Sequence, residues 1–486
     1  MIVVWLCMDA AARLLSGSLD GCLLVPGDTG YDRARTVWNA IVDRRPRVIV
    51  RCATVRDVVS AVRTALEHDL EIGVRCGGHS AAGHAVPEDG LMIDLTPLRA
   101  VRVDPERRRV VVQGGALLGA LDRATQQFGL AVTAGNVSHT GVGGLTLGGG
   151  MGWLARQAGL ACDNVISFEI VTAAGDVLRV SEDQHPDLFW ALRGGGGNFG
   201  VVTEFEFRLH DIGTAALSVE IDFPVDQGAD ALRGWREINE TAPRQATFTA
   251  GIGGGVVTLG YVWVGNPQQG AAMIPAVRAL GRPSAERVAP MSYLELQTRD
   301  DVLDGHAMRR YSKGHYFRRP TDEAIDAMVA VTELGPFAPG VGLQAYGGAI
   351  RDVSADGTAF SHRHTAFELG ASAGWTDPGE DEVRIATARA FAAALQPFAS
   401  GVYVNVLGDE GAAGVRRAYS VDQLTRLTAV KDTYDPLNVF HLNQNIPPSN
   451  PTPPGSSPCD HADAAATPRL DSTSARESSA SGTRVK

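Results

Sequence analysis

The residues of this chain best placed to do chemistry lie in three short glycine-rich segments. They are Arg75-Cys76-Gly77-Gly78-His79-Ser80, Gly141 to Gly152 (GVGGLTLGGGMG) and Gly194 to Gly200 (GGGGNFG). Successive backbone N–H groups left bare by glycine can form a concave seat for a pyrophosphate. Glycine also lets backbone crowd a ligand closely. None of the segments has the spacing and later acid of the dinucleotide fingerprint, and none carries the GKS or GKT of a P-loop. One such run alone is as readily a tight turn. Three of them between Arg75 and Gly200, each set between patterned strands or helices, point to one shared ligand.

The elements that must position these loops can be read from the hydrophobic pattern. Arg47 to Arg51 (RVIVR) predicts a strand, Thr54 an N-cap with Asp57 three residues on, and Val55, Val58, Val59, Val62 and Leu66 a helix. Leu70 to Arg75 is the next strand and runs straight into the first glycine turn. Strands are predicted at 90–95, 101–103, 109–113, 165–172, 177–180 and 201–209, and helices at 116–128 and 186–192. The glycine clusters end near Ile212. From there to about 399, strands at 217–223, 256–264 and 367–375 mix with helices at 267–280 and 381–395. This predicts a separate α+β part built on an antiparallel sheet. A helix at 421–433 stops at Tyr434-Asp435-Pro436, and the Pro-, Ser- and Ala-rich residues from 449 read as a disordered tail.

Composition sets outer limits. The 486 residues suggest two domains. Forty-four basic and 55 acidic residues give a net charge of −11, which disfavours nucleic acid or an anionic membrane as partner. The six cysteines (Cys7, Cys22, Cys52, Cys76, Cys162, Cys459) contain no CxxC pair, so neither a zinc site nor a disulfide framework is expected. The apolar run from Ile2 to Met8 lacks a basic leader and is followed by Asp9, so no signal peptide is expected. A cytoplasmic location is expected, with secretion left open, for a monomer or homodimer.

Longer stretches carry a resemblance. RCGGHSAAG, SHTGVGGLTLGGGMGWLARQAGLACDN, DLFWALRGGGGNFGVVTEFEF and YVNVLGDE…YDPLNVFHLNQNIPP together resemble the berberine-bridge-enzyme-like FAD-linked oxidases, which have the vanillyl-alcohol-oxidase fold. The similarity runs from about residue 30 to 448. It implies an FAD-binding domain of the PCMH type over 30–211, a substrate-binding domain over 212–399 whose sheet roofs the flavin, and a segment over 400–448 that returns to the FAD domain. It also implies that His79 is bonded covalently to the flavin 8α carbon, which suits the lone pair of a neutral imidazole. Relatives often carry a second link through a cysteine, but Val137 stands at that position here. One link through His79 is therefore expected, with Cys162 a buried small residue. The remaining cofactor contacts implied are Arg75, Gly77, Gly78, Ser80, Ser138, His139, Thr140, Gly141, Val142, Gly143, Gly144, Gly148, Gly149, Val202 and Asn443. No metal is expected.

By the same resemblance, three residues are candidates for the base that takes a substrate proton: Tyr403 first, then Glu368, with Tyr346 as an orienting partner. Where many relatives have a second tyrosine after the first, this chain has Val406. Thr140 falls where relatives keep a gatekeeper beside the flavin, and its small size favours access by O2. The resemblance implies an FAD-dependent oxidase that moves a hydride from an alcohol, sugar or secondary metabolite to flavin N5, with O2 returning H2O2. Oxidative cyclisation or desaturation on the same flavin, and a flavin-binding protein without catalysis, are the alternatives.

Overall fold

The computed structural model describes residues 10–302 and 305–450. The apolar run at 2–8 lies outside them, as does nearly all of the stretch expected to be disordered. The described residues belong to one compact unit that carries four sheets.

The first sheet places the His79 loop. It contains β1 (Cys22–Leu24), β2 (Val48–Arg51), β3 (Ile72–Arg75) and β4 (Leu91–Asp94), in the order β1-β2-β4-β3. Strands β2, β4 and β3 run parallel, and the helix Val55–Glu67 makes the crossover between β2 and β3. Thr54 and Asp57 form the reciprocal capping box expected of that sequence. The Asp57 carboxylate also accepts the N–H groups of Asp20 and Gly21 at 2.8 and 3.1 Å, which ties β1 to the helix start. Strand β3 ends at Arg75, so Cys76 to Ser80 spill from the carboxyl edge of the parallel strands, where open α/β sheets collect their ligands.

The second sheet contains β5 (Val101–Asp104), β6 (Arg109–Gln113), β8 (Val165–Val171), β9 (Val177–Ser181) and β10 (Val201–Arg208), in the order β5-β6-β10-β8-β9. Alternate residues of β8 and β10 bury Phe168, Phe205 and Phe207 in the core, with Phe168 edge-on to Phe205. Strands β7 (Leu130–Ala131) and β11 (His210–Asp211) form a short pair of their own.

The third sheet is antiparallel throughout. It contains β12 (Ala215–Pro224), β13 (Ala246–Gly253), β14 (Val256–Val264), β15 (Ala285–Ser292), β16 (Arg309–Phe317), β17 (Gly340–Ala345) and β18 (Phe367–Trp375). Their order is β15-β12-β14-β13-β17-β18-β16. One face carries Phe223, Phe248, Leu343 and Leu369. It is covered by Trp235 of the helix Val225–Glu240, Ile325 and Met328 of Asp322–Val329, and Phe391 and Leu395 of Asp381–Leu395. The period of two sends the opposite residues, among them Thr249, Gly251, Gly342, Gln344, Glu368 and Gly370, to the other face.

Two sequence expectations need correction here. The helix expected over 267–280 is two short helices, Pro267–Ala271 and Ile274–Arg278. Pro275 has no N–H to continue the first helix and instead opens the second. Strands β13, β15, β16 and β17 and the helix Val225–Glu240 were not anticipated, because their glycines, prolines and charged residues break the simple alternation.

Candidate active site

The three glycine segments meet backbone to backbone. A Cβ on Gly77 would lie 2.4 Å from the Gly141 nitrogen, and one on Gly141 would lie 2.4 Å from both the Gly77 nitrogen and Cys76 Sγ. Only glycine at both positions lets the loops touch. The third loop is held from the C-terminal side. Lys431 Nζ, fully buried, donates to the carbonyls of Asn198 and Phe440 and pairs with Asp435 at 2.7 Å. Asn198 donates to the Gly195 carbonyl at 2.8 Å and accepts the Ile446 N–H at 2.9 Å.

Between the loops lies a cavity of about 370 Å³. Its wall includes Gly77, Gly78, His79, Ser80, Thr140, Gly141, Gly143, Gly144, Val202 and Asn443 of the expected contacts, together with Tyr403. Two of the lining residues carry buried polar atoms without a partner among the described residues, His84 Nδ1 and Asn443 Oδ1. A cavity walled by glycine backbone from three loops, with unsatisfied polar atoms on its lining residues, fits a dinucleotide such as FAD.

His79 stands in the wall with its ring fixed on two sides. Trp38 stacks on it, centroid to centroid 4.8 Å at 15°. Its Nε2 shares a hydrogen bond of 2.7 Å with His139 Nδ1. Among the described residues, its Nδ1 has one hydrogen-bond partner, Thr140 Oγ1 at 3.4 Å. Burial, reinforced by the nearby His139, His306 and Arg310, holds the His79 imidazole down at about 3, with Asp301 acting weakly in the opposite sense. It is therefore neutral at working pH and keeps a lone pair.

The remaining expected contacts do other work. Arg75 does not line the cavity; its guanidinium donates to the Ala34 carbonyl. Ser138 donates through N and Oγ to the Asp301 carboxylate at 2.9 and 2.6 Å, and His139 serves His79. Val142 is in the core. Gly148 and Gly149 clear space: a Cβ on Gly148 would strike the Asn405 side chain at 2.0 Å, and one on Gly149 the Phe360 ring at 2.7 Å. Cys162 is fully buried, and burial raises its thiol well above the usual range. Cys76, whose place in the cavity wall was not anticipated, donates to the Ala116 carbonyl, and burial holds its thiol at about 11.

The three candidate bases form one cluster with a fourth member. Tyr346 donates to Glu368 Oε2 at 2.6 Å and lies 3.3 Å, oxygen to oxygen, from Tyr316. Tyr316 stacks on Tyr403 at 6.4 Å. The Tyr403 oxygen accepts from Gly150 N and Asn405 Nδ2, both at 2.8 Å. Burial pushes the Tyr403 phenol up, and those two donors only partly offset it. Tyr346 is likewise raised by burial, with Glu368 adding to it. Burial lifts the Glu368 carboxyl to about 7 against the opposing hydrogen bond from Tyr346. Tyr316 was missed by sequence; the only signal was that it falls on the same face as Ser312 in a strand whose glycine and charges hid the alternation.

Two family models match the chain: an FAD binding domain over residues 46–181 and a berberine and berberine-like domain over 402–447. An FAD-linked oxidoreductase of Bacillus subtilis is 31% identical over 442 residues, which cover 88% of this chain and 97% of that protein. The chain belongs to the berberine-bridge-enzyme-like family of FAD-linked oxidoreductases. Among solved structures, 6-hydroxy-D-nicotine oxidase from Arthrobacter nicotinovorans is 31% identical, with a TM-score of 0.80 over 88% of this chain and 98% of that one. Glucooligosaccharide oxidase from Acremonium strictum, 24% identical, shares the fold at a TM-score of 0.83 over 90% and 99%. The berberine-bridge-enzyme-like assignment makes this chain an FAD-linked oxidoreductase with the PCMH-type FAD-binding fold. Among the described residues, no helix is long and apolar enough to cross a membrane.

Proposed function

We propose that this protein is an oxidase that holds FAD through a single covalent bond at His79 and oxidises an alcohol, sugar or secondary metabolite. Bound FAD would take a hydride at N5 and pass its electrons to O2, releasing H2O2. Glu368 is the base: a base works best with its pKa near the working pH, and Glu368 is the one member of the cluster held at about 7. That observation carries the reading, and it moves Glu368 ahead of Tyr403 in the order expected from sequence. Tyr346 orients the carboxyl. Tyr403, whose oxygen already accepts two N–H groups, directs its own proton into the cavity as a donor to substrate or ring.

His139 engages Nε2 of the neutral His79 ring, which leaves Nδ1 as the atom that would bond the cofactor. Cys162 is kept in the core as a thiol, which supports a single link. Thr140, a small residue of the cavity wall beside His79, is the gatekeeper that would admit O2. The test is peroxide release dependent on added substrate across a panel of alcohols, sugars and phenols. Substrate-dependent peroxide that falls by about 10² or more in Glu368→Gln supports the reading. A yellow protein that releases none with any member is a flavin binder without this activity.

A further inference from the structure

On the open face of the third sheet, four glycines stand in one row. Gly251 of β13 pairs with Gly342 of β17, Gly342 with Gly370 of β18, and Gly370 with Gly314 of β16. Nothing in the fold explains the middle of that row. None of Gly251, Gly342 and Gly370 has a positive φ. A Cβ on Gly342 would meet nothing within 4 Å, one on Gly370 only Ser372 Oγ at 4.0 Å, and one on Gly251 only Thr258 at 3.9 Å. Glycine inside a strand weakens it and often marks a bulge, a bend or the close approach of another backbone or a ligand; the ladder here is in register and no backbone stands over Gly342 or Gly370, which leaves the ligand. Above the row lies a hollow of about 710 Å³.

The hollow has distinct walls. Two residues along each strand is a polar row in register, Thr249–Gln344–Glu368–Tyr316. Val406 covers the last glycine of the row, since a Cβ on Gly314 would strike its methyl at 2.5 Å. The valine that stands where many relatives have a tyrosine thus covers the end of the glycine row. Asn136 donates to Gln344 Oε1 at 2.8 Å, which leaves Gln344 Nε2 and Asn136 Oδ1 buried without partners, a donor and an acceptor side by side.

We propose that this row is the floor of the substrate site and that its occupant is a planar, oxygen-substituted ring system of more than one ring. The inference rests on the oxidase reading and names its substrate class. Peptide donors and acceptors lie in the plane of the sheet and are spent on the ladder, so a bare floor offers flat contact and no upward hydrogen bonds. A molecule that fits it is flat, with polar groups only at its rim, where Gln344 and Glu368 line the hollow. The uncovered floor spans three strands, about 10 Å across at the usual strand spacing, the length of a fused bicycle or tricycle. The floor has no aromatic side chain on which a sugar ring could stack.

Equilibrium dialysis of the holoenzyme with the flavonol quercetin, the anthraquinone alizarin and the disaccharide cellobiose tests this without turnover. At least one planar probe binds, cellobiose does not, and Gly342→Val weakens the planar probe at least tenfold. The variant keeps its flavin absorbance and melts no lower than the parent, because the added side chain enters open space. Gly370→Ala gives a smaller loss in the same direction. Unchanged affinity in both variants overturns the site. Binding of cellobiose alone overturns the planar class. A protein that binds the planar probe through Gly342 yet releases no peroxide with any substrate overturns the oxidase reading and leaves this one standing.

Discussion

Glu368 concentrates the chemistry at the scale of single residues. A carboxyl lifted to about 7 is protonated below that pH and becomes a base above it. The substrate-dependent rate is therefore expected to rise as pH passes through about 7 and then to level. Glu368→Gln removes that limb and lowers kcat by about 10² or more, the ordinary contribution of a positioned base. A steady-state pH profile of both proteins checks it, and an unchanged limb in the variant assigns the base elsewhere. Tyr346→Phe frees the carboxyl of its hydrogen-bond donor, so the same limb moves upward while the protein still folds.

At the scale of elements, the C-terminal segment is a clamp on the third glycine loop. Lys431, Asp435 and the carbonyls of Asn198 and Phe440 form a closed set with no exposure to water at either charged side chain. Lys431→Met leaves Asp435 charged and unpaired. Breaking such a pair costs about 3–5 kcal/mol, which a denaturant melt reads as a lower midpoint. Lys431→Met with Asp435→Leu is expected to recover part of the loss.

How far each element was legible in sequence follows from its physics. The unit β2–helix–β3 was readable because its apolar spacing and its capping box are local. The glycine loops were readable because so many glycines without period demand a reason. The third sheet was only partly readable. Its core face is regular, but its open face is built of Gly251, Gly342, Gly370 and Gly314, which a sequence reading takes as breakers. Tyr316 was hidden for the same reason. Arg75 was expected at the cofactor from the resemblance of its RCGGHS segment, whereas its side chain folds back to Ala34.

For the whole molecule, stability is expected to be lower where the site works. Burial raises two carboxyls, Glu368 and Asp122, each to about 7. A carboxyl raised in the folded state contributes stability that is full below its unfolded pKa. That contribution is lost as pH climbs through the folded value. Their share of the stability should therefore fall between pH 5 and pH 8, while the buried histidines His79, His84 and His315, held well below the usual imidazole range, act in the opposite sense, so the comparison of parent and variant isolates the Glu368 contribution. Glu368→Gln should melt higher than the parent at pH 8 and about equally at pH 5. Equal melting of parent and variant at both pH values would show that Glu368 carries no such cost.

The covalent bond at His79 is tested most directly by acid precipitation followed by tandem mass spectrometry of a tryptic digest. Cleavage after Arg75 and Arg99 yields one peptide that holds both Cys76 and His79, so fragmentation must place the adduct. The account predicts a yellow pellet, flavin mass on that peptide at His79, and an unmodified peptide around Cys162. A colourless pellet with all flavin in the supernatant, or flavin mass on Cys76 or Cys162, would contradict it.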